Sequence, residues 1–564
     1  MFFHALRSPA ILNPPVRVHL AQLNPTIGDI DGNTAAIIAA VKDATRQNAD
    51  LVVTSELAVI GYPPRDLLLR EGAGDRCMQA VEKIAALCTK TAALVGFPQP
   101  WPRGPRPLRN AVALCRNGKV EAIYAKRLLP TYDVFDEDRY FTPGDGPLVV
   151  EVGGEKVGVL VCEDIWRAED ANVRRGYSVD PIVELQLRGA TFLAVLSASP
   201  FVVGKDARHQ ERLQFLAAKK LGIISVNQAG GNDDLVFDGR SRVLTRNGAT
   251  LACLRGFAAD SATIETRGLQ GIAPTVTAPE AETVDAIVAG IRDYLGKTGH
   301  REALLGLSGG IDSAIVAALA TLAIGGGNVT GVLMPSRYSS PGSIDDALDS
   351  AARLKLKASP TIPIEDAHRT LRATLQTALG DVAGVVDENV QSRIRGVILM
   401  ALSNASDAIV LTTGNKSEIA VGYATLYGDM NGGLAPIGDV LKTNVYTLAR
   451  WMNEHFEALG FDRAPIPESS ITKTPSAELR PDQSDQDTLP LYETLDAIVA
   501  GWVEREESVD TIVKTAGIER ALVERWCRAI DRMQYKRDQG AVSLKVSRRA
   551  FGRGRPMPVA GKTV

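Results

Sequence analysis

The sequence predicts an α/β protein of two domains, each containing a sheet with parallel strands. Three observations predict this fold class. The chain has 564 residues, 45% of them hydrophobic, and a single core stops growing well below that length. Short apolar runs rich in β-branched residues alternate with helical patterns, as in layered α/β domains. At 267–280 glycine, proline and threonine dominate and the periodicity disappears, so we place the domain boundary there.

Composition excludes several classes of protein. The net charge is −3 and 23% of the residues are charged, which gives no general electrostatic reason to expect a nucleic-acid or membrane partner. No stretch approaches the ~18 uninterrupted apolar residues of a membrane span, and the N-terminus lacks the pattern of a signal peptide. The six cysteines are scattered without CxxC spacing, so neither a zinc site nor a redox dithiol is indicated. We therefore expect a cytoplasmic protein.

The first domain is predicted from six apolar runs that have the length of buried strands. Helical patterns lie between several of them, at 34–48 and 74–90. Residues 237–250 are polar and turn-rich, with Asn-Gly at 247–248, and predict a hairpin that closes the domain. The six predicted strands are 16–23, 50–55, 92–96, 157–162, 191–197 and 223–228.

The second domain begins with a helix, a strand and a second helix. These elements are predicted at 282–297, Ala303–Gly306 and 312–324, and another buried strand is predicted at 408–413. The predicted organisation is an N-terminal extension at 1–15, a first domain at 16–267, a linker at 268–281 and a second domain at 282–564.

The most specific local signal is LGLSGGIDS at 305–313, where a predicted strand meets a helix. Glycines let the backbone approach an anion, and the helix N-terminus adds unpaired N–H donors and a positive dipole end. The loop is therefore suited to hold a phosphate. It is neither a Walker A loop nor GxGxxG. An ordinary glycine-rich turn capped by serine or aspartate is the structural alternative.

The string SGGIDS resembles the PP-loop of ATP pyrophosphatases, which cleave ATP between its α and β phosphates. The resemblance implies that this loop grips pyrophosphate and that Asp312 helps to hold Mg²⁺. A second carboxylate, Glu418, follows the predicted strand at 408–413, and Mg²⁺ favours oxygen ligands of this kind. We predict Asp312 and Glu418 as the metal ligands. The predicted ATP-binding residues are Gly306, Ser308, Gly309, Gly310, Asp312, Ser313, Met334 and Thr413.

Three reactive residues of the first domain lie at strand ends or in turns: Glu56, Lys126 and Cys162. A thiol that attacks an amide needs a base for its proton and a cation or donors for the oxyanion. Glutamate can be the base, lysine the cation and cysteine the nucleophile. Spacing alone does not bring the three together, and a lone cysteine after a buried strand is most often a small core residue.

The surrounding segments ELAVIGYPPRDLL, KRLLPTYDVFDEDRYFTPG and CEDIW resemble the three signature segments of the nitrilase (carbon–nitrogen hydrolase) family. That resemblance implies a four-layer α-β-β-α sandwich with Glu56 as general base, Lys126 as oxyanion stabiliser and Cys162 as nucleophile. It also implies a glutamine pocket, for which Arg208 is a weaker candidate. The predicted pocket residues are Tyr132, Glu137, Ser199 and Lys205.

The order of the two domains, and segments such as TTGNKSEIAVGYATLYGDMNGG, resemble the glutamine-dependent NAD synthetase family. The resemblance implies glutamine, ATP and deamido-NAD as substrates, with NAD as product and not as redox cofactor. It also implies a homo-oligomer, and the fusion leads us to expect an internal route for ammonia. Arg337 and Lys473 are further candidates for substrate contacts. The predicted deamido-NAD-binding residues are Asn389, Arg393, Glu418, Lys442 and Ser476.

Two alternatives remain at this point. Another PP-loop amidotransferase, of the GMP or asparagine synthetase type, would need a different glutaminase. Residue 2 is Phe, which excludes an N-terminal cysteine nucleophile if the numbering is native, and His209 lacks the context of a catalytic histidine. A non-catalytic scaffold is the second alternative, and the presence of all three nitrilase candidates beside SGGIDS argues against it.

Overall fold

The computed structural model describes residues 15–166, 177–267, 271–273 and 277–561. The predicted N-terminal extension, apart from residue 15, lies outside the described residues, as do 268–270 and 274–276 of the predicted linker. Within the described residues, the first of two compact units comprises 15–199, 206–230 and 237–273, and the second comprises 200–205, 231–236 and 277–561. The predicted domain bounds stay a prediction.

The strands of the described chain are β1 (Arg17–Gln22), β2 (Leu51–Val53), β3 (Ala92–Pro100), β4 (Leu108–Arg116), β5 (Lys119–Ala125), β6 (Val149–Val152), β7 (Glu155–Val161), β8 (Phe192–Ser197), β9 (Gly222–Asn227), β10 (Ala229–Asn232), β11 (Leu235–Asp238), β12 (Arg242–Leu244), β13 (Thr250–Cys253), β14 (Asp260–Glu265), β15 (Ala303–Gly306), β16 (Val329–Val332), β17 (Ile409–Val410), β18 (Leu434–Ala435) and β19 (Val542–Ser543).

The helices are α1 (Ile30–Arg46), α2 (Ala73–Ala85), α3 (Pro181–Leu187), α4 (Lys205–Ala218), α5 (Pro279–Thr298), α6 (Ile311–Ile324), α7 (Pro341–Arg353), α8 (Glu365–Leu379), α9 (Val385–Ser406), α10 (Lys416–Val421), α11 (Lys442–Glu454), α12 (Glu468–Thr472), α13 (Tyr492–Val499), α14 (Val509–Ala516), α15 (Arg520–Arg532) and α16 (Gln534–Arg537). Among the described residues, none of these helices is both long and apolar enough to cross a bilayer.

The first unit is a sandwich of two six-stranded sheets. Their strand orders are β14-β1-β2-β3-β4-β5 and β13-β12-β9-β8-β7-β6. Inward-facing side chains of both sheets form one core, with Leu20 and Leu94 from one sheet and Val159 and Ala194 from the other. Helices α1 and α2 pack on the first sheet, and α4 packs on the second through side chains such as Leu213. The predicted α-β-β-α sandwich is confirmed.

Each of the six strands predicted for the first domain overlaps an observed strand, but the element ends differ. Helix α1 begins four residues before the predicted start, because the Asp29 carboxylate caps it by accepting the Gly32 N–H at 2.9 Å. The predicted hairpin at 237–250 is present only as β12 and β13, which pair around a turn where Gly248 has a φ of 85°. Strand β11 pairs with β10 instead.

The second unit contains the predicted parallel sheet, in the strand order β16-β15-β17. Strand β15 runs directly into the loop before α6, as the sequence indicated. The strand predicted at 408–413 is shorter, since only Ile409–Val410 form a ladder and Leu411 adds a single bridge to Leu434. Helices α13 to α15 form a separate apolar cluster around Leu495 and Trp526.

Candidate functional sites

The carboxylate of Glu56 and the ammonium of Lys126 form a buried ion pair in the first unit. Glu56 follows β2 and Lys126 follows β5, and the Lys126 Nζ lies 2.7 Å from Glu56 Oε1. The other oxygen, Oε2, accepts the main-chain N–H of Ala198 at 3.1 Å, one residue beyond β8. Strand ends of both sheets therefore hold the carboxylate in place.

Glu137 is a second carboxylate partner of Lys126. Its Oε1 lies 2.8 Å from Lys126 Nζ and accepts a hydrogen bond from the Tyr62 hydroxyl at 3.0 Å. Burial raises the pKa of Glu137 to about 7, although the Lys126 ammonium lowers it. Burial alone would lower the pKa of Lys126, but Glu137 and Glu56 together raise it well above its usual value. Lys126 is therefore a fixed positive charge at neutral pH.

Cys162 begins a short turn immediately after β7, and its φ of 40° is unusual for a residue other than glycine. Such strain is common where a nucleophile is held on a tight turn at a strand end. The side chain is buried, and burial together with the charge of Glu56 raises the pKa of the thiol well above its usual range. The thiol therefore carries its proton at rest and needs a base to react.

Asp164 connects the turn of Cys162 to the segment of Lys126. Its Oδ2 accepts the N–H of Val161 at 3.0 Å and the Tyr124 hydroxyl at 2.8 Å. Its Oδ1 accepts the N–H groups of Arg127 and Leu128, both at 3.0 Å. One buried carboxylate thus fixes the backbone next to the nucleophile and next to the cation.

Some of the predicted glutamine-pocket residues lie in the first unit near the buried group, and others do not. The Tyr132 hydroxyl donates to Glu163 Oε2 at 2.9 Å, and the Ser199 N–H donates to Asn227 Oδ1 at 2.9 Å. Glu137 contacts Lys126, as described above. Lys205 belongs to the second unit, where its ammonium donates to the Pro200 carbonyl at 2.8 Å, and Arg208 lies exposed on α4.

In the second unit, the loop between β15 and α6 is closed by its own serines. The Ser308 and Ser313 hydroxyls lie 3.1 Å apart, and Ser313 Oγ also donates to the Gly310 carbonyl at 3.0 Å. Gly309 has a φ of 79°, and a Cβ there would lie 2.0 Å from the Ser343 carbonyl oxygen. Only glycine fits at this position, because backbone on the neighbouring helix fills the space a side chain would need.

Asp312, Glu418 and Lys442 form a cluster beside this loop. The Lys442 ammonium contacts Asp312 Oδ2 and lies 3.3 Å from Glu418 Oε1, and Asn415 Nδ2 donates to Asp312 Oδ1 at 3.1 Å. Burial raises the pKa of Glu418 to about 7, and Lys442 opposes this rise. The two carboxylates predicted as metal ligands therefore converge on one cationic position, which the lysine ammonium takes.

The donor chemistry of this cluster fits Mg²⁺ bound together with a substrate. Among residues 15–166, 177–267, 271–273 and 277–561, no group of three or more His, Cys, Asp or Glu side chains could hold a metal ion by itself. Mg²⁺ is usually bound by one or two carboxylates, with water and phosphate oxygens completing the shell. Asp312 and Glu418 supply that number of carboxylates.

The other predicted ATP-binding residues lie around the end of the parallel sheet. A Cβ at Gly306 would come 3.2 Å from the Met334 methyl group, so these two residues adjoin. The Met334 carbonyl accepts a hydrogen bond from Arg395 Nε at 3.0 Å, and Thr413 is half-buried in the loop before α10.

The predicted deamido-NAD residues are more scattered. Asn389 Oδ1 accepts the Thr425 hydroxyl at 2.7 Å, and one turn later Arg393 Nε donates to the Leu426 carbonyl at 3.1 Å. Ser476 is exposed and its hydroxyl accepts the N–H of Glu478 at 3.1 Å. The two further candidates have partners of their own: Arg337 Nε donates to Glu365 at 3.1 Å, and Lys473 Nζ donates to Asp346 at 2.9 Å.

Three residues of the first site were not predicted from the sequence: Asn110, Glu163 and Tyr62. Asn110 and Tyr62 contact the carboxylates of Glu56 and Glu137. Both oxygens of Glu163 accept tyrosine hydroxyls, from Tyr132 and from Tyr177 at 2.9 Å each. Glu163 could have been found from its place in CEDIW, next to the nucleophile, whereas no pattern around Asn110 indicates its role.

Comparisons with known proteins assign both parts of the chain to known families. Residues 17–266 match the carbon-nitrogen hydrolase family, and residues 283–540 match the NAD synthase family. The chain is 42% identical to the glutamine-dependent NAD(+) synthetase of Synechocystis, over 96% of this chain and 98% of that protein. It is 43% identical to the enzyme of that name from Xanthomonas campestris, over 98% of each chain.

Two solved structures extend the likeness to the fold. The glutamine-dependent NAD+ synthetase of Acinetobacter baumannii in complex with ADP is 38% identical, with a TM-score of 0.76 over 96% of this chain and 98% of that one. The enzyme of that name from Cytophaga hutchinsonii has a TM-score of 0.80 at 21% identity, over 97% and 98% of the two chains, and shows the shared fold. The chain belongs to the glutamine-dependent NAD(+) synthetase family.

Proposed function

We propose that the first unit releases ammonia from glutamine and that the second unit uses it to convert deamido-NAD to NAD at the expense of ATP. Two sites carry the proposal. One is the buried group of Glu56, Lys126 and Cys162, and the other is the loop at 305–313 beside Asp312 and Glu418. Each site has the residue types that its half of the reaction requires.

In the glutaminase half, Glu56 takes the proton of the Cys162 thiol as the sulfur attacks the amide carbon of glutamine. Lys126 stabilises the negative charge on the carbonyl oxygen, since its ammonium is buried beside the base. The proton then passes from Glu56 to the departing nitrogen, which leaves as ammonia. Water attacks the thioester, releases glutamate and restores the thiol.

Glu163 is the residue we propose for the α-ammonium of glutamine. Its carboxylate is buried next to Cys162 and accepts hydrogen bonds from the hydroxyls of Tyr132 and Tyr177, which are neutral donors. A buried carboxylate whose hydrogen bonds come from neutral donors favours binding of a positively charged group. Tyr132 and Ser199 stay predicted members of the pocket.

In the synthetase half, the carboxylate of the nicotinic acid moiety attacks the α-phosphorus of ATP, and pyrophosphate leaves. The loop at 305–313 is proposed to hold the phosphates, and Lys442 to contact them after it leaves the two carboxylates. Ammonia then displaces AMP from the adenylate to give the carboxamide. Asn389, Arg393 and Ser476 stay predicted contacts of deamido-NAD.

Asp312 and Glu418 are proposed to hold Mg²⁺ when ATP is bound. The metal would supply positive charge to the phosphate oxygens, as it does in other phosphoryl-transfer sites. The buried Lys442 ammonium forms ion pairs with both carboxylates, and this observation supports the assignment. A homo-oligomer and a cytoplasmic location, both implied by the sequence, stay predictions.

The proposal is tested with two variants and two nitrogen sources. Cys162→Ala should abolish NAD formation from glutamine and leave NAD formation from ammonium within about twofold of wild type, because only the nucleophile is lost. Asp312→Ala should abolish NAD formation from glutamine and from ammonium, and leave glutamate release intact. Loss of both activities in Cys162→Ala, in a protein that still releases pyrophosphate, would contradict separate sites.

A further inference from the structure

We propose that Asn110 is a positioning residue of the glutaminase reaction, whose side chain determines which oxygen of Glu56 is left to accept the thiol proton. The inference rests on the function proposed for the first unit and adds a residue to it. Asn110 lies near the start of β4, a strand not among those predicted from the sequence.

Asn110 contacts the base, the cation and the second carboxylate at once. Its Nδ2 donates to Glu56 Oε1 at 2.7 Å and to Glu137 Oε2 at 3.4 Å. Its main-chain carbonyl accepts the N–H of Lys126 at 2.8 Å. The residue is almost completely buried, so water does not compete for these bonds. A single strand position therefore connects three residues that are distant in sequence.

The chemistry of the partners fixes the orientation of the amide. An ionised carboxylate only accepts hydrogen bonds, so the NH₂ group of Asn110 must face Glu56, its nearest partner. This leaves the buried Oδ1 of Asn110 without a hydrogen-bond donor among the described residues. An unpaired buried acceptor is unfavourable. The side chain keeps this orientation because its two contacts with carboxylates outweigh the missing one.

The consequence for Glu56 is an asymmetry between its two oxygens. Oε1 accepts two hydrogen bonds, from Lys126 Nζ and from Asn110 Nδ2, whereas Oε2 accepts one from the Ala198 N–H. A carboxylate oxygen has two lone pairs, so Oε1 is saturated and Oε2 has one left. We infer that Oε2 takes the proton of Cys162. Without Asn110, Oε1 would have a free lone pair and the carboxylate could rotate.

Asn110 also donates without adding charge to a crowded cluster. The ionisable groups that face it are Glu56, Glu137 and Lys126, with Tyr62 and Cys162 around them. An aspartate at position 110 would place a third carboxyl group beside those of Glu56 and Glu137. It could donate to Glu56 only when protonated, so the cluster would hold one proton more, and the pH dependence of the reaction would change.

The experiment compares Asn110→Leu and Asn110→Asp with wild type in the full-length protein. Asn110→Leu should lower kcat for glutamate release about 10- to 100-fold, the range for a lost hydrogen bond to a charged group, and leave KM for glutamine within about threefold. Asn110→Asp should shift the pH profile of glutamate release by about one pH unit or more. The pH profile of Cys162 alkylation by iodoacetamide, followed by peptide mass spectrometry, should shift by the same amount.

The control is Gln22→Leu, which removes another buried amide of the first unit. Gln22 donates to the carbonyls of Arg255 and Ala258 at 2.7 and 2.8 Å, outside the group described above. The Gln22→Leu substitution should lower the free energy of unfolding and leave the pH profiles of glutamate release and of Cys162 alkylation unchanged. NAD formation from ammonium should stay within about twofold of wild type in all three variants, because the second unit is intact.

Two results would overturn the inference. Asn110 variants with wild-type kcat and an unchanged pH profile would remove any role for the side chain. Asn110 variants that lose stability and activity together, with both pH profiles unchanged, would reduce Asn110 to a structural residue. A wild-type protein that releases no glutamate would instead refute the proposed function, and the two failures are therefore distinguishable.

Discussion

Gly96→Ala should disable the glutaminase without replacing any residue that reacts. Gly96 lies on β3, against the segment that carries Glu56. A Cβ at this position would lie 2.4 Å from the Ser55 carbonyl oxygen, 2.7 Å from the Leu57 nitrogen and 3.1 Å from the Glu56 carbonyl carbon. All three atoms belong to the backbone, so no side chain can rotate away. The nearest contact is about 1 Å short of the 3.4 Å at which ordinary van der Waals contact begins.

The backbone of Glu56 must therefore move by about 1 Å, and misplacement of a catalytic group on that scale costs about 100-fold in rate. We expect kcat/KM for glutamate release to fall by about that factor. Overpacking should also lower the free energy of unfolding by ~1–3 kcal/mol. NAD formation from ammonium should stay within about twofold of wild type, because the synthetase site is elsewhere in the chain.

The assay measures glutamate release and ammonium-driven NAD formation on the same preparation, and unfolding in urea. Gly146→Ala is the matched control, because a Cβ at Gly146 meets nothing within 4 Å and its φ is not in the left-handed region. A Gly96→Ala protein that releases glutamate at the wild-type rate would refute the reasoning, since it would show that the position of Glu56 does not limit the reaction.

Two further predictions concern the synthetase site. Gly309→Ala should abolish pyrophosphate release and preserve glutamate release, because its Cβ would lie 2.0 Å from the Ser343 carbonyl oxygen and its φ of 79° disfavours any side chain; an active variant would show that the loop does not need this close approach. Since burial raises the pKa of Glu418 to about 7, the carboxyl group takes up a proton as the pH falls below that value and can no longer attract Lys442 or Mg²⁺. The kcat/KM of pyrophosphate release, which reports the free enzyme, should therefore fall below pH 7 and approach a loss of about tenfold per pH unit, and a flat kcat/KM profile down to pH 6 would contradict the assignment of Glu418.

The sequence was sufficient to predict the fold class, and it singled out the residues that we propose to react. Glu56, Lys126 and Cys162 each follow a strand and stand in segments that resemble nitrilase signatures, so local sequence carries their identity. The loop at 305–313 could be predicted for the same reason, because its glycines and serines act within one strand–helix turn.

Contacts between distant parts of the chain could not be predicted in this way. Asn110 reaches Glu56 across 54 positions, and Lys442 reaches Asp312 across 130. No periodicity or spacing encodes such pairs, because strand order and register decide them. Glu137 illustrates the difference. The sequence singled out its segment, but whether its carboxylate faces a substrate or Lys126 depends on how the turn after β5 folds back.

The most direct test of the account follows the nitrogen atom. In one reaction, glutamine labelled with ¹⁵N in its amide group is supplied with ATP and deamido-NAD. In a parallel reaction, unlabelled ammonium replaces the glutamine. The wild-type protein should form NAD whose carboxamide carries ¹⁵N. Cys162→Ala should incorporate none of the label and still form unlabelled NAD from ammonium. Labelled NAD from Cys162→Ala would contradict the claim that nitrogen freed by this thiol is the nitrogen consumed in the second unit.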